Sequence, residues 1–325
     1  MLSRLMGIAA ILLVLPTAAA AQERFMMGYA GFAGFQVSMW AAKDLGLLKK
    51  YGIDGETVLV PGTARQIQAL VGDSIQFAHV DAAGHIRAVM RGADIVMVGG
   101  SLNKFPFSFV SVKEIRQPAD LIGKKIGIVG FGGANDLAVT LLLREWKIPR
   151  EKVTVLQAGG GATRLVALST KALDATVLSH PELGEALRMG MNELGNLSEF
   201  KSAEYPMSAV AVRRSFLAQN RNAVKRFMMA YAEATYQFMT DQEKGISVLR
   251  RRLKQDNVKA LAETYKFFAP QFSFPIRVSP AGMHNTIELI AKENPKLDPK
   301  LERYVDESVL DELEKEGFFK RLAGK

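Results

Sequence analysis

The sequence contains no cysteine among its 325 residues. A disulfide framework, a metal site with cysteine ligands and a thiol nucleophile are therefore excluded, as is a lipid attached to a cysteine. Histidine is also scarce, and none of the four has the spacing to another histidine or to a carboxylate that favours a metal site (His79, His85, His180 and His284). We therefore expect neither a metal ion nor another cofactor.

Long apolar runs are missing after the N-terminus, because no later segment has the roughly 18 consecutive apolar residues that cross a bilayer. Residues 1–21 differ from the rest. Arg4 supplies a positive charge, an apolar stretch covers residues 8–15, and Ala19-Ala20-Ala21 precedes Gln22. This pattern is typical of a secretory signal peptide that is cleaved near Ala21-Gln22. The alternative, a membrane anchor, needs a longer apolar segment, so we expect an exported protein.

Motifs that bind nucleotides or carry a serine nucleophile are also missing. The glycines of Gly127-x-x-Gly130-x-Gly132-Gly133 follow a predicted strand and precede a predicted helix. A dinucleotide site needs an acidic residue about 20 residues further on, but Gln157 ends the next predicted strand. No P-loop or Gly-x-Ser-x-Gly motif is present. The glycines leave two interpretations open: a contact to an anionic or polar ligand at a helix N-terminus, and a tight turn.

The composition is that of a basic globular protein. The formal net charge is +9, and 48% of the residues are hydrophobic, which is enough for sizeable cores. The positive charges are dispersed along the chain rather than gathered into a stripe. This balance favours anionic ligands, and we expect no nucleic-acid partner.

One pattern occurs twice in the sequence. Residues 58–81 and residues 153–180 each predict a strand, a glycine turn, a short helix with an Ala-Leu pair, and a second strand. Open α/β sheets bind ligands where the carboxyl ends of strands meet helix N-termini. Two such units predict two α/β lobes that face each other across a cleft for a small molecule.

The order of predicted strands and helices suggests how the chain divides. Residues 22–107 form the first part of lobe 1, and residues 108–207 form lobe 2. Residues 208–325 return to lobe 1 and add helices. The clearest of these helices has an apolar stripe on one face (Val224, Phe227, Met228, Tyr231 and Phe238).

Several polar side chains are candidates for ligand contacts, and most of them have a second interpretation. His79 and Asp81 are either a pair that faces the ligand or a polar strand terminus with local hydrogen bonds. His180 is a candidate hydrogen-bonding contact at the cleft. Arg65 and Arg164, at near-matching places in the repeated helices, either clamp a carboxylate or sulfonate or lie on a solvated surface.

The sequence resembles a known family in several motifs taken together. They are Gly46-Leu-Leu-Lys-Lys-Tyr-Gly-Ile53, Asp120-Leu-Ile-Gly-Lys-Lys-Ile-Gly127, and the Ala-Leu pairs at 69–70 and 167–168. This order is similar to that in periplasmic substrate-binding proteins of nitrate-, taurine- and aliphatic-sulfonate-type ABC transporters. That family includes binding proteins for the thiamine pyrimidine and a pyrimidine synthase. The cysteine-rich segment of the synthase is absent here.

The resemblance implies a type II periplasmic binding protein. Two lobes, each a mainly parallel sheet flanked by helices, would close on one ligand. The implied function is that of a monomeric solute receptor in the periplasm. It captures a small organic anion or a polar heterocycle by hinge closure and delivers it to ABC permease subunits in the inner membrane. The alternative is a secreted lyase or hydrolase of the same fold that uses His79, Asp81 and His180.

The resemblance also implies which residues contact the ligand. They are Gly34, Phe35, Gln36, Thr63, Asp81, Asn103, Phe131, Gly132, Gly133, Asn135, Gly161, Ser179 and His180. His180 departs from the family pattern, since family members often carry tryptophan or another bulky residue before the proline. The resemblance therefore does not assign sulfonate or nitrate as the ligand of this protein.

Overall fold

The computed structural model describes residues 24–199, 204–292, 294 and 297–324. The predicted signal peptide, residues 1–21, lies outside these ranges. Among the helices that are described, none combines the length and apolarity needed to cross a membrane.

Ten described strands form two five-stranded sheets. The strands of the first sheet are β1 (Arg24–Tyr29), β2 (Asp54–Leu59), β3 (Phe77–Val80), β4 (Ile95–Lys104) and β10 (Glu204–Arg213). The strands of the second sheet are β5 (Ser108–Ser111), β6 (Lys125–Ile128), β7 (Thr154–Gln157), β8 (Ala175–Leu178) and β9 (Asn192–Asn196).

The two sheets have the same kind of topology. Their strand orders are β2-β1-β3-β10-β4 and β7-β6-β8-β5-β9. In the first sheet β1 is parallel to β2 and β3, whereas β10 is antiparallel to β3 and β4. In the second, β6 is parallel to β7 and β8, whereas β5 is antiparallel to β8 and β9. The predicted two-lobed α/β fold is confirmed, with each sheet mixed rather than mainly parallel.

The α-helices pack around these sheets. Up to residue 188 they are α1 (Val37–Asp44), α2 (Leu47–Lys50), α3 (Thr63–Val71), α4 (Ala82–Met90), α5 (Ala134–Glu145), α6 (Gly161–Ser169) and α7 (Glu182–Arg188). After residue 213 they are α8 (Arg214–Gln219), α9 (Arg221–Thr240), α10 (Gln242–Leu253), α11 (Val258–Phe268), α12 (Pro280–Ala291), α13 (Ser308–Lys315) and α14 (Phe318–Leu322).

The duplicated sequence pattern is a duplicated structural unit. It comprises β2, α3 and β3 in the first sheet, and β7, α6 and β8 in the second. In each unit the helix begins at the carboxyl end of a parallel strand, as in open α/β sheets. One sequence offset relates α3 to α6 and also β3 to β8. Two comparable strand ends, each lined by helix N-termini, are therefore available to form a cleft.

The long helix α9 packs its apolar face against the first sheet. All five residues of its predicted apolar stripe are buried. On the sheet side, the ring of Phe77 stacks on that of Phe227 with the centroids 3.9 Å apart. Stacked and edge-to-face aromatic pairs of this kind add to the free energy of ordinary apolar burial.

Two chain crossings join the sheets and lie close together. Phe105 follows β4, just before the chain enters the second sheet, and Tyr205 lies at the start of β10, where it returns. Their rings stack with centroids 3.9 Å apart and an interplanar angle of 10°. One aromatic pair thus joins the outgoing and returning segments. The predicted division at residues 22–107, 108–207 and 208–325 remains a prediction.

We predict that Phe77→Ala lowers the free energy of unfolding by about 3–5 kcal/mol, because it removes a fully buried ring and leaves a cavity. Urea denaturation measures the change. Val71→Ala is the matched control, since Val71 is 51% exposed and should stay within about 0.5 kcal/mol of the wild type. Equal losses for the two variants would contradict the packing described.

Candidate functional site

Helix N-termini line the carboxyl ends of the strands in both units. The N-cap residues of α3, α5 and α6 are Gly62, Gly133 and Gly160, and none of these caps makes a side-chain hydrogen bond to its helix. The first backbone N–H groups of a helix have no partner within the helix, and the helix dipole makes this end positive. These ends suit an anionic or polar ligand.

Asp81 organises the strand ends of the first sheet. It follows β3 and caps α4, and its Oδ1 accepts a hydrogen bond from the Gly84 backbone N–H at 3.0 Å. The Tyr205 hydroxyl donates to the same oxygen at 2.5 Å, and the Thr63 hydroxyl donates to Oδ2. This carboxylate is 5% exposed and therefore ties α3, α4 and β10 together at one point.

The two lobes touch next to Asp81. A Cβ atom built on Gly133 would lie 3.7 Å from Asp81 Oδ2, so the glycine loop of the second lobe faces this carboxylate. The Arg87 guanidinium on α4 donates to the Gly132 carbonyl at 3.0 Å. The lobes are therefore closed upon each other at the strand ends.

His79 belongs to a buried hydrogen-bonded chain. Its Nδ1 is 2.5 Å from Gln36 Oε1, and its Nε2 is 2.8 Å from the Tyr231 hydroxyl, which is 2.7 Å from Ser101 Oγ. The Gln36 oxygen can only accept, so Nδ1 bears the proton and Nε2 accepts from Tyr231. Burial lowers the pKa of His79 to about 3, so the ring is neutral at neutral pH. These hydrogen bonds hold the glycine loop before α1 against α9.

His79 and Asp81 therefore point to different partners. The sequence places them two residues apart on one face of a strand, but β3 ends at Val80 and Asp81 already caps a helix. For both side chains the structure shows local hydrogen bonds within the first lobe. Among the described residues they have no partner in common.

Arg164 lies on α6, the helix of the repeated unit in the second lobe. It is 4% exposed, and its Nη1 donates to Asn135 Oδ1 at the start of α5. Burial lowers the pKa of its guanidinium to about 10, and the nearby Glu182 carboxyl opposes this shift. Burial also raises the pKa of Glu182, and Arg164 opposes that shift. The Arg164 side chain therefore lies inside the second lobe and not on a solvated surface.

The sequence match of Arg65 with Arg164 is off by one position. The offset that relates α3 to α6 places Gln66, not Arg65, at the position of Arg164. Arg65 is exposed. Gln66 is fully buried, and its amide pairs with both backbone groups of His79, at 2.7 and 3.0 Å.

His180 lies at a second contact between the lobes. Its ring packs 4.8 Å from that of Phe267 on α11, and burial lowers its pKa. Nearby, Arg188 on α7 donates to Glu263 on α11 at 3.1 Å. The structure thus places His180 against a ring of the first lobe.

The predicted contact residues fall into several groups. Thr63, Asp81, Gly132 and Gly133 lie together where the lobes meet. Gln36 contacts His79. Gly34 and Phe35 pack on Phe268, and a side chain on Gly34 would collide with that ring.

The remaining predicted contact residues belong mainly to the second lobe. Asn135 contacts Arg164, and Gly161 lies beside Glu182. Phe131 is 54% exposed. Ser179 follows β8 and is buried just before His180.

Asn103 lies apart from these groups. Its amide donates to the Arg277 carbonyl at 2.8 Å, and its Oδ1 accepts from the Ser279 N–H at 2.9 Å. Both ends of this side chain therefore serve to hold the C-terminal segment against β4.

A separate cavity of about 380 Å³ lies beside the chain crossings. It is bounded by α5 of the second lobe, by α12, and by Phe105 and Tyr205. None of the predicted contact residues lines it. The strand-end cleft, where glycine N-caps and polar side chains converge, remains the better candidate site. Within the described residues, no group of three or more acidic or histidine side chains could hold a metal ion.

Some residues of this site are not apparent from sequence. Tyr205 and Arg87 carry no motif, and both reach the cleft only through the fold. Tyr231 belongs to the apolar stripe of α9, where its hydroxyl gives no signal. Gln66 has a weak signal, since it is a polar residue among the buried positions of an amphipathic helix.

We predict that the free energy of unfolding falls as the pH drops from about 6.5 towards 3, because unfolded His79 takes up a proton that the folded protein resists. His79→Gln removes this contribution and should flatten the slope by up to about 1.4 kcal/mol per pH unit. Urea denaturation at a series of pH values measures it. The control, His284→Gln, changes an exposed histidine and should keep the wild-type slope. Parallel slopes for the two variants would contradict the burial of a neutral His79.

Comparisons with known proteins agree with this architecture. Residues 36–245 match the model of the family described as NMT1/THI5 like. A Brucella abortus protein, named only as a candidate binding protein, is 30% identical over 228 residues, which are 69% of each chain.

Solved structures share the fold at low sequence identity. The ligand-binding component of an ABC-type import system from Staphylococcus aureus, with zinc bound, has a TM-score of 0.75 and 16% identity, over 90% of this chain and 99% of that one. The aliphatic sulphonate binding protein SsuA of Escherichia coli has a TM-score of 0.69 and 19% identity, over 87% and 97%. The nitrate-binding protein NrtA of Synechocystis has a TM-score of 0.70 and 15% identity, over 90% and 88%. The chain therefore belongs to the NMT1/THI5-like family and has the fold of periplasmic substrate-binding proteins.

Proposed function

We propose that this protein is the periplasmic solute-binding component of an ABC importer. It captures a small organic anion or a polar heterocycle between its lobes and delivers it to a membrane permease. The observation that supports this most is the meeting of the two strand-end edges, where the loop at Gly133 faces Asp81. The sulphonate- and nitrate-binding proteins named above have this fold and are themselves solute-binding proteins.

The proposed mechanism is hinge closure. A solute that contacts both lobes only when they are together shifts the population towards the closed form. The crossings at Phe105 and Tyr205 are the proposed hinge. Tyr205 also donates to Asp81, so this hydrogen bond connects the proposed hinge to the cleft.

The proposed ligand contacts combine apolar and polar groups, as in most small-molecule sites. The exposed rings of Phe32 and Phe131 supply apolar walls, at 47% and 54% exposure. The glycine N-caps of α3, α5 and α6 supply backbone N–H groups. Thr63, Asn135 and Ser179 supply side-chain polar groups.

Binding fits the geometry better than catalysis does. The alternative enzyme would use His79, Asp81 and His180 as acid, base or nucleophile. His79 is neutral and both its ring nitrogens are engaged, and Asp81 accepts three hydrogen bonds within its lobe. His180 packs against Phe267 instead of either group. A general base must be able to reach the proton that it removes.

Location and assembly are part of the same proposal. We propose that the signal peptide directs the chain to the periplasm, where the mature protein is a monomer without a lipid anchor and docks on its permease. Zinc is bound in the Staphylococcus aureus protein, whereas the described residues of this chain contain no group of three or more acidic or histidine side chains that could hold a metal ion.

We predict that purified mature protein is stabilised by one class of small solute. The screen would contain nitrate, taurine, an alkanesulfonate, a short carboxylate and the thiamine pyrimidine. A ligand at one hundred times its Kd adds about 2.7 kcal/mol to the free energy of unfolding and so raises the Tm. Stabilisation by a solute that is recovered unchanged supports a receptor. Time-dependent conversion of the solute would favour the enzyme, and no stabilisation by any probe would contradict the proposal.

We predict that Gly133→Leu weakens binding of the solute found in that screen by about tenfold or more. A built Cβ fits at 3.7 Å from Asp81 Oδ2, but the further carbons of leucine would hold the lobes apart. Gly133→Ala is the matched control and should bind within about threefold of the wild type. Isothermal titration measures both. If leucine has no more effect than alanine, closure at this point is not needed for binding.

A further inference from the structure

The cavity of about 380 Å³ beside the chain crossings is a second space between the lobes. One of its walls is α5 of the second lobe, and another is α12, which packs on α4 and β10 of the first lobe. The Tyr205 side chain also bounds this cavity, while its hydroxyl donates to Asp81 in the strand-end cleft. The cavity and the cleft are therefore separate spaces that share one side chain.

The volume of this cavity exceeds that of a packing defect. Protein interiors contain few voids larger than a water molecule. An apolar cavity of about 150 Å³ already takes up a benzene molecule. Small-molecule sites have volumes of about 300–1,000 Å³ and occur preferentially between domains. The cavity therefore has room for a molecule with one ring and a short side chain.

The inner wall of the cavity is hydrocarbon. It is formed by the ring of Phe105 and by leucines from both lobes (Leu137, Leu141, Leu142, Leu197 and Leu289). Leu137 and Leu142 are buried in the core, whereas Leu141 and Leu289 are only partly buried. An apolar group that covers these two side chains removes their exposed surface from water, which favours binding.

The rim of the cavity carries more negative than positive charge. The carboxylates of Glu145, Glu204 and Glu288 border it, together with the guanidinium of Arg144. Glu204 accepts a hydrogen bond from the Ser279 hydroxyl at 2.5 Å. Within the ranges that the structure describes, the carboxylates of Glu145 and Glu288 have no hydrogen-bond or ion-pair partner. A bound cation is therefore attracted to this rim, and an anion is repelled.

We propose that this cavity is a second ligand site, which takes an organic cation with an apolar body and an ammonium group. The body lies against the leucines of both lobes, and the ammonium group faces Glu145 and Glu288. This site is additional to the strand-end cleft and does not depend on which solute the cleft takes.

Two probes of the same shape test the proposal. Isothermal titration of the mature protein at neutral pH uses phenethylammonium as the cation and phenethyl alcohol as its neutral counterpart. We expect the cation to bind saturably with a Kd of about 1 mM or below, and the alcohol to bind about threefold more weakly or less. Either the absence of saturable cation binding or equal affinities for the two probes would overturn the proposal.

Leu141→Trp locates the bound cation. Its larger side chain fills the space beside α5, so we expect the affinity for phenethylammonium to fall by about tenfold or more. Val166→Trp is the matched control, because Val166 is 61% exposed on α6 and does not line the cavity. If Leu141→Trp does not fold by circular dichroism, Leu289→Phe fills the cavity from α12 instead. Wild-type affinity in the cavity-filling variant would place the cation elsewhere and contradict the proposal.

The double variant Glu145→Gln/Glu288→Gln tests the role of charge. We expect it to weaken binding of phenethylammonium about fivefold and to leave binding of the alcohol within about twofold. Glu151→Gln/Glu243→Gln is the control, since it changes the net charge equally at exposed positions outside the cavity. Equal weakening by the two double variants would show that only the overall charge of the protein acts, and would refute the assignment of the rim carboxylates.

Discussion

The hydrogen bonds of the Asp81 carboxylate are the interaction on which the cleft depends. One side chain accepts from the start of α4, from Thr63 at the start of α3 and from Tyr205 at the start of β10. These three elements come from distant parts of the chain, and they meet where the second lobe approaches. A buried carboxylate is stable only when such donors surround it. The arrangement of elements that supplies donors to the Asp81 carboxylate therefore also sets the shape of the cleft.

The two lobes use the same scaffold with different chemistry. In the first, polar side chains bond mainly to one another, as in the chain from Gln36 through His79 to Tyr231. In the second, the buried cation Arg164 and the half-buried acid Glu182 lie near helix ends that side chains leave uncapped. Duplication thus provides two similar frames, and single changes such as glutamine against arginine at matching positions make them unlike.

The sequence predicts the architecture much better than it predicts the site. Repeated strand-turn-helix patterns depend on local periodicity, so the two units and the stripe of α9 can be read directly. The directions of side chains depend on distant partners. The proximity of Asp81 to Tyr205, and the match of Arg164 with Gln66 instead of Arg65, appear only once the strands are in register. Asn103 is an instructive case, because the family resemblance implies a ligand contact there, whereas its amide is engaged by the segment around Arg277.

The stacked rings of Phe105 and Tyr205 have a mechanical consequence. Because both connecting segments are joined face to face at one place, neither can slide along the other without breaking the stack. In the proposed hinge closure the lobes would then pivot at this pair. The thickness of an enclosed solute would set how far the outer surfaces of the two lobes turn relative to each other.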